Sequence, residues 1–481
     1  MPLRLNAQAP GATHHPHPRS TARQHHRHSR ARGNPSAVAA NSVLTAPRSK
    51  SKWIPAYAHC CPGKILRGKL KGLRCLAGGV KTPSANSIQR HRKMFSINRL
   101  QSVLKAFPLR VFDDKVQEHR SDRYSKGFKS RDQLVAMVFG HLGGASSLRM
   151  IEAAYNSQKR HHYHLGTGQL RRSTLADANR KRSSEPFSAA AQALMSQVNR
   201  TIRQEGEDLL YLLDSSSISL KGPGFDGWTR DNQTRNTQGI KLHMLYEKST
   251  EAPVFSQFSP ANVNDITVGR ELTIESGAVY VFDKGYCDFN WWSEIDQQGA
   301  LFVTRFKKNT ALKVEQSLPV AADSVVLSDE LVRFSNKHPG ARRRNLYTQL
   351  LRRVTVDRPG KKSPIILATN DLESAAELIA QRYKERWAIE LYFKWIKQHL
   401  KIKTFFGRSE NAVKIQLLCA LIAYLLLVIH RKASGFKGTL WALLGELRVS
   451  LFQRSATDKT SYERWREEQI ERERLQMGLF A

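Results

Sequence analysis

Residues 208–216 read DLLYLLDSS, an apolar run that is cut off by a carboxylate, Asp214. A short run of apolar residues bounded by polar ones is typical of a buried β-strand. Residues 278–283 (AVYVFD) repeat the pattern and end at a second carboxylate, Asp283. In open α/β sheets, ligands bind outside the carboxyl ends of the strands. The two stretches therefore predict an α/β fold with both aspartates, each directly after a strand, at one edge of its sheet.

A third carboxylate, Glu390, lies in a long helix that the apolar pattern predicts from about residue 372 to 400. At 100° per residue, one stripe of this helix carries a phenol, two cations and the carboxylate. Its members are Tyr383, Arg386, Glu390 and Lys397. A solvated face with an Arg386–Glu390 ion pair is the plain structural alternative. The apolar Trp387, Leu391 and Trp395 indicate instead that the helix is packed and turns a mixed face to a polar partner.

Three carboxylates from three elements suit one kind of chemistry. Magnesium and similar hard cations prefer oxygen ligands. Two such ions, held ~3.5–4 Å apart, can activate an attacking oxygen and stabilise the leaving one in phosphodiester displacement. A single Asp after a strand is weak evidence, because Asp is common in turns. The hypothesis rests on Asp214, Asp283 and Glu390 taken together as the metal-binding catalytic residues.

The helical stripe forms the pattern Y-x2-R-x3-E-x6-K, which resembles the signature of bacterial insertion-sequence transposases of the DDE type, in the family named after insertion sequence four. The resemblance extends to a D-x-G-Y motif, here Asp283, Gly285 and Tyr286, and to an Asp-Ser pair, here Asp214 and Ser215. It covers most of the chain between residues 94 and 432.

The resemblance implies a ribonuclease-H-like catalytic core interrupted by a β-rich insertion. It also implies a triad that binds two Mg²⁺ or Mn²⁺ ions, and contacts from Tyr383, Arg386 and Lys397 to DNA near the scissile phosphate. The substrates would be double-stranded element ends and target DNA, cleaved and joined by a homodimer that holds two ends together. Some relatives form a DNA hairpin with a stacking Trp in the insertion, but residues 306–366 contain no Trp and offer only Phe306, Phe334 and Tyr347 for stacking. The sequence therefore does not decide between a hairpin and a non-hairpin route.

Composition and pattern divide the chain into six segments. They are a basic leader at 1–93, a helical DNA-binding domain at 94–204, the first part of the core at 205–305, the β-rich insertion at 306–366, the second part of the core at 367–432 and a helical C-terminal region at 433–481. In the second segment, residues 174–182 (TLADANRKR) predict a short helix that sets Asn179 and neighbouring cations against a DNA groove. The alternative is a solvated basic helix end.

The first 93 residues contain 18 Lys and Arg and no Asp or Glu. With almost no periodic apolar pattern, this leader is expected to be disordered. It is either a basic DNA-binding arm, a transit-like leader, or upstream sequence included through a start codon assigned too early. The abrupt change of composition at Met94 favours the third interpretation.

The formal net charge of +36 indicates a polyanionic partner, either nucleic acid or an anionic membrane surface. The longest apolar run, residues 417–429, is shorter than the ~20 residues that span a bilayer, so it predicts a buried core helix and no membrane. The five cysteines have neither C-x2-C nor zinc-site spacing, which favours a reducing compartment, here the bacterial cytoplasm.

Two other functions compete with transposition. One is a catalytically inactive DNA-binding protein derived from a transposase, and the other is a different ribonuclease-H-like nuclease. A large basic insertion together with a separate basic N-terminal segment favours an enzyme that holds two DNA ends and a target. The charged tail at 462–475 is either a dimer helix or a solvated one.

Overall fold

The computed structural model describes residues 98–202, 209–229, 238–338, 344–360, 363–400 and 404–453, together with residues 402, 466, 469 and 470. The leader and nearly all of the tail at 462–475 lie outside these ranges.

Seven helices occupy residues 98–202. They are α1 (Arg99–Leu104), α2 (Leu109–Glu118), α3 (Ser130–Leu142), α4 (Leu148–Asn156), α5 (Lys159–Leu165), α6 (Arg172–Lys181) and α7 (Glu185–Ile202). Side-chain caps fix two of their starts, because the Asn98 side chain accepts a hydrogen bond from the Gln101 N–H and Ser147 accepts one from the Met150 N–H. Helix α3 is buried on nearly every side and forms the centre of this helical region.

Asn179, on α6, lies inside this region rather than on its surface. It is buried, and its side-chain oxygen accepts a hydrogen bond from the Gln133 amide at 2.8 Å. Asn179 shares its helical stripe with the buried Leu175 and Ala178, and that stripe packs inward. The expectation that Asn179 faces a DNA groove is therefore wrong, although the neighbouring Lys181 is exposed.

Within the described ranges, the second main part of the architecture is a nine-stranded mixed sheet. Its strands are β1 (Leu210–Ser219), β2 (Gly239–Glu247), β3 (Ala252–Pro260), β4 (Val279–Phe282), β5 (Leu301–Arg305), β6 (Leu312–Leu318), β7 (Val326–Phe334), β8 (Leu351–Val356) and β9 (Ile365–Thr369). The spatial order is β3-β2-β1-β4-β5-β9-β8-β7-β6. Strands β1, β4 and β5 run parallel, and every other neighbouring pair is antiparallel.

Short helical segments join several of the strands. They are α8 (Asp226–Thr229), α9 (Asp265–Gly269), a 3₁₀ turn (Lys284–Tyr286) and α10 (Phe289–Gln297). Because side chains alternate along a strand, each central strand feeds two cores. Leu212 belongs to the core shared with the N-terminal helices, whereas Leu213 belongs to an aromatic core on the other face that contains Trp291 and Trp292.

The strands β6, β7 and β8 fall within the segment predicted as a β-rich insertion. They form an antiparallel meander, and β8 then pairs with β9, which in turn pairs with β5. This segment is thus not a separate sheet. It extends the central sheet outward from its fifth strand.

The helix expected at 372–400 is two helices, α11 (Ala376–Glu385) and α12 (Trp387–His399). Between them the Arg386 N–H bonds to the Tyr383 carbonyl at 3.2 Å, a tighter turn than in an α-helix. The prediction of a single long helix was therefore wrong. The spacing of apolar residues is nearly the same on both sides of one tightened turn, so it does not reveal the break.

Helix α13 (Glu410–Ala433), which α14 (Leu440–Ser450) follows, is buried along most of its length. Within the described ranges it is the one helix long and apolar enough to span a membrane, yet 89% of its apolar window is buried inside the protein. It contacts α1, α3, α6, α7 and α14. Its apolar surface therefore joins the N-terminal helices and the sheet in one core.

Candidate active site

Asp214 and Asp283 lie on neighbouring parallel strands at the same level. The register of β1 and β4 ends with the pair Leu213 and Phe282, so each aspartate is the next residue along its strand. Strand β1 does not stop there, however. It continues to Ser219 paired with β2 alone, so the expectation that a strand ends just before Asp214 was wrong. Asp214 therefore lies inside β1, at the level where the parallel pairing with β4 ends.

Alternation along the strands puts both aspartates on one face of the sheet. Asp214, Asp283 and Arg305 each follow a buried apolar residue two positions earlier in the chain. These three apolar residues, Leu212, Val281 and Val303, all lie in the core beneath α11 and α12. Side chains two residues apart on a strand point the same way. Three polar side chains from β1, β4 and β5 therefore converge under these helices.

The turn between α11 and α12 places Arg386 over the first aspartate. Its guanidinium donates to Glu390 at 2.6 Å and lies 3.9 Å from an Asp214 oxygen. It also lies over the Tyr383 ring, 5.7 Å from the centroid. One arginine thus links two of the predicted catalytic carboxylates, and its side chain is only 15% exposed.

The second aspartate is held by different partners. Arg305 forms an ion pair and a hydrogen bond with Asp283, and the Tyr383 hydroxyl donates to the same carboxylate oxygen at 3.4 Å. Further along α12, Lys397 donates to the hydroxyl of Ser216, two residues beyond Asp214 on the same face of β1. Three residues of the predicted stripe thus reach groups at the strand ends, and the fourth, Glu390, is linked to Asp214 through Arg386.

The environment separates the pKa values of the two aspartates. Burial raises the pKa of Asp214 from 3.8 to about 6, and the negative charges of Glu390 and Asp283 add to the rise against the opposing effects of Ser215 and Arg386. Burial also acts to raise the pKa of Asp283, but the Arg305 hydrogen bond, the Lys284 N–H and the charge of Arg305 outweigh it. The pKa of Asp283 therefore lies below its ordinary value.

Comparison with known proteins identifies the family. Residues 205–426 match the family model described as a transposase DDE domain, and residues 98–168 match a domain of unknown function, DUF4372. Over 257 residues the chain is 43% identical to y4zB, a putative transposase of Sinorhizobium fredii. The matched stretch covers 53% of this chain and 69% of that protein. The chain belongs to the DDE transposase family.

Two further relatives of this transposase come from named insertion sequences. The probable transposase of element IS5377 of Geobacillus stearothermophilus is 30% identical, over 54% of this chain and 67% of that protein. A putative transposase of element IS4SA of a Synechocystis strain is 28% identical, over 61% of this chain and 80% of that protein. The protein is thus an insertion-sequence transposase, an enzyme that cleaves DNA and transfers its strands.

The carboxylates of this transposase have the donor chemistry of a divalent-metal site, in a family that generally depends on such metals. A cation already links two of them, since Arg386 lies against both Asp214 and Glu390. Within the described ranges, no three Asp, Glu, His or Cys side chains are grouped closely enough to hold an ion as they stand. The residues fit a divalent cation in type and charge, provided that the guanidinium groups move aside.

Sequence reasoning missed Arg305 of the transposase. The signal was present, because Arg305 is the charged residue that ends the buried β5 run LFVT, just as Asp214 and Asp283 end theirs. Only a carboxylate was sought at that position.

A partly buried network behind the site was also missed. Asp265 accepts hydrogen bonds from the Ser215 hydroxyl at 2.8 Å and from the Lys241 ammonium at 2.9 Å. Ser215 and Lys241 point to the sheet face opposite Asp214, so this network lies under the strand that carries the first catalytic candidate. An Asp in a short loop helix gives no sequence signal of its own, because only the β1–β2 pairing brings these groups together.

Proposed function

We propose that Asp214, Asp283 and Glu390 are the catalytic carboxylates of this transposase and together hold two Mg²⁺ or Mn²⁺ ions. The observation that carries the proposal is the juxtaposition at the end of β4. Two carboxylates lie side by side on parallel strands, and the helix bearing the third crosses the same face, with Arg386 reaching both Asp214 and Glu390.

The strand order supports a ribonuclease-H-like core of the type implied by the insertion-sequence-four resemblance. Strands β3, β2 and β1 form an antiparallel meander, and β4 and β5 continue it in parallel with β1. The segment 306–366 would then be an insertion between the second and third carboxylates, carried by the same sheet.

When bound, the two ions would activate the attacking oxygen and stabilise the leaving oxygen of the phosphodiester. The roles of the protein residues follow from their contacts. Arg386 balances the charge of Asp214 and Glu390 while DNA is absent, and it is placed to contact a phosphate that enters beside them. Tyr383 and Lys397 fix the orientation of Asp283 and the β1 edge, and in the DNA complex they contact the strand near the scissile phosphate.

The partners follow from family and charge. Element ends and target DNA are double-stranded polyanions, which suit a chain of net charge +36. The helical segment 94–204 serves as a DNA-binding domain, and a homodimer holds two ends for strand transfer. The protein acts in the bacterial cytoplasm and on no membrane, since its apolar helix α13 is occupied in the core.

The decisive experiment compares binding and cleavage in amide variants. Asp214→Asn, Asp283→Asn and Glu390→Gln keep the size and hydrogen-bonding capacity of the side chain but remove the charge that divalent ions require. Cleavage of a labelled duplex carrying the element's own ends should fall by orders of magnitude in Mg²⁺, while binding of that duplex is retained.

The exposed Asp323, between β6 and β7, supplies the matched control as Asp323→Asn. Asp288 is less suitable, because it caps α10 and forms an ion pair with Arg270. Wild-type cleavage by any of the three amide variants would reject that carboxylate as catalytic. Binding without cleavage by the wild-type chain would support the inactive, transposase-derived DNA-binding protein instead.

A further inference from the structure

The N-terminal helical region contains a groove of about 1000 Å³ away from the carboxylates. One wall is the loop from His119 to Phe128, between α2 and α3, and the other wall is α6 with the chain that precedes it. The groove falls largely within the stretch that matches a domain of unknown function.

The charge of this groove is one-sided. Five exposed cations line the groove, and within the described ranges none of them forms an ion pair. They are Arg120, Arg123, Lys126, Arg171 and Lys181. Its two acids are already engaged. Asp132 accepts hydrogen bonds from the N–H groups of Lys129 and Gly168, and Asp177 pairs with Arg180 at 2.7 Å. The open positive charge therefore suits a chain of phosphates.

The loop wall is held in place by Arg182, the largely buried residue directly after α6. Arg182 donates to the Phe128 carbonyl at 2.5 Å and to the Gln133 side chain at 3.1 Å, and it lies 3.3 Å from Asp122. Asp122 in turn accepts hydrogen bonds from the N–H and hydroxyl of Ser130 at the start of α3. The cations on this loop are thus presented from a fixed frame.

An aromatic ring stands at the rim of the groove. Tyr124 is 87% exposed, and Arg123 lies over its ring at 4.8 Å from the centroid. The backbone has φ of 63° at Tyr124 and 46° at Arg120, a left-handed conformation that non-glycine residues rarely adopt. A large exposed ring in a strained backbone contributes nothing to the core and suits stacking on a nucleobase.

We propose that this groove clamps the sugar-phosphate backbone of the element-end DNA, and that Tyr124 stacks on a base displaced from the duplex at that point. The inference rests on the proposed function and deepens it. It assigns end binding to loop 119–128 and α6, whereas base-edge contacts from Asn179 are excluded because Asn179 is buried. Phosphate contacts would set affinity and position.

The test measures binding of the full chain to a fluorescein-labelled duplex of the element end by anisotropy over a range of salt concentrations. The double variant Arg120→Ala/Arg123→Ala should weaken binding about tenfold or more and lower the log-log salt slope by about one for each lost phosphate contact. Arg149→Ala, an exposed cation outside the groove, should leave both values unchanged.

Tyr124 separates stacking from a structural role. Tyr124→Gly should weaken binding by about 5- to 150-fold, the range for loss of one stacked base, while Tyr124→Phe retains it. Because glycine accepts the left-handed backbone without strain, the melting temperature of Tyr124→Gly should equal or exceed that of the wild type. Tyr163→Ala, 80% exposed and outside the groove, is the matched aromatic control.

The inference is overturned if the groove variants bind and cleave the end duplex like the wild type, or if Tyr163→Ala weakens binding as much as Tyr124→Gly. Either result leaves the catalytic proposal intact, since the amide variants of the carboxylates test that separately. If the wild-type chain failed to cleave DNA carrying the ends of its own element, that result would instead contradict the proposed function.

Discussion

Neutralising Asp214 should raise the stability of the folded protein, whereas neutralising Asp283 should lower it. The pKa of Asp214 is raised from 3.8 to about 6, so the folded state holds a proton that the unfolded state has released. Stability from this group is therefore lost as pH rises from about 3.8 to about 6, and it stays lost above that window. Asp214→Asn mimics the protonated form and should stabilise the metal-free protein at neutral pH.

The size of the effect follows from the pKa shift. About 1.36 kcal/mol for each pH unit gives roughly 3 kcal/mol for a carboxyl that is only 22% exposed. With ~2.1 cal/mol/K of unfolding entropy per residue over roughly 340 described residues, the melting temperature should rise by about 4 °C. Asp283→Asn should lower it, because the charged form of Asp283 is favoured by Arg305 and its pKa is depressed.

Thermal melting in EDTA at about pH 8 and about pH 5 measures both variants against the wild type. The gain of Asp214→Asn should shrink at the lower pH, where wild-type Asp214 is itself largely protonated when folded. The reasoning fails if Asp214→Asn melts at or below the wild-type temperature at pH 8, or if both variants shift in the same direction. Added Mg²⁺ should raise the melting temperature of the wild type more than that of Asp214→Asn.

Three other outcomes are expected. Arg386→Ala removes the cation shared by Asp214 and Glu390, so it should weaken both end binding in anisotropy and cleavage on gels, and unchanged binding would exclude Arg386 as a DNA contact. Asp265→Asn leaves the buried Lys241 ammonium without its carboxylate, so it should destabilise the fold by ~3 kcal/mol or more and slow cleavage, and a wild-type melting temperature would contradict the assigned pairing. Binding of end duplex should fall ~10³-fold or more between about 50 and 200 mM salt if six or more phosphates are contacted, whereas a flat response would remove DNA backbone as the main partner.

Local patterns in the sequence were enough to place the two aspartates, because each follows an apolar run whose end coincides with the end of parallel pairing between β1 and β4. The same patterns could not indicate that β1 continues to Ser219, since that extension depends on β2, a strand further along the chain. The one-turn tightening at Arg386 and the inward packing of Asn179 are likewise decided by tertiary contacts.

The strands β5 and β9 are hydrogen-bonded neighbours, although the whole of β6, β7 and β8 lies between them in the chain. The polypeptide thus adds three strands to the same sheet beyond β5 and returns beside β5 through β9. Buried residues of this segment, Val354 and Leu351 among them, belong to the same two cores as the strands that precede the aspartates. In mechanical terms the segment is a continuation of the platform that carries the carboxylates, so a cavity made in its buried face would be felt by the strands that position them.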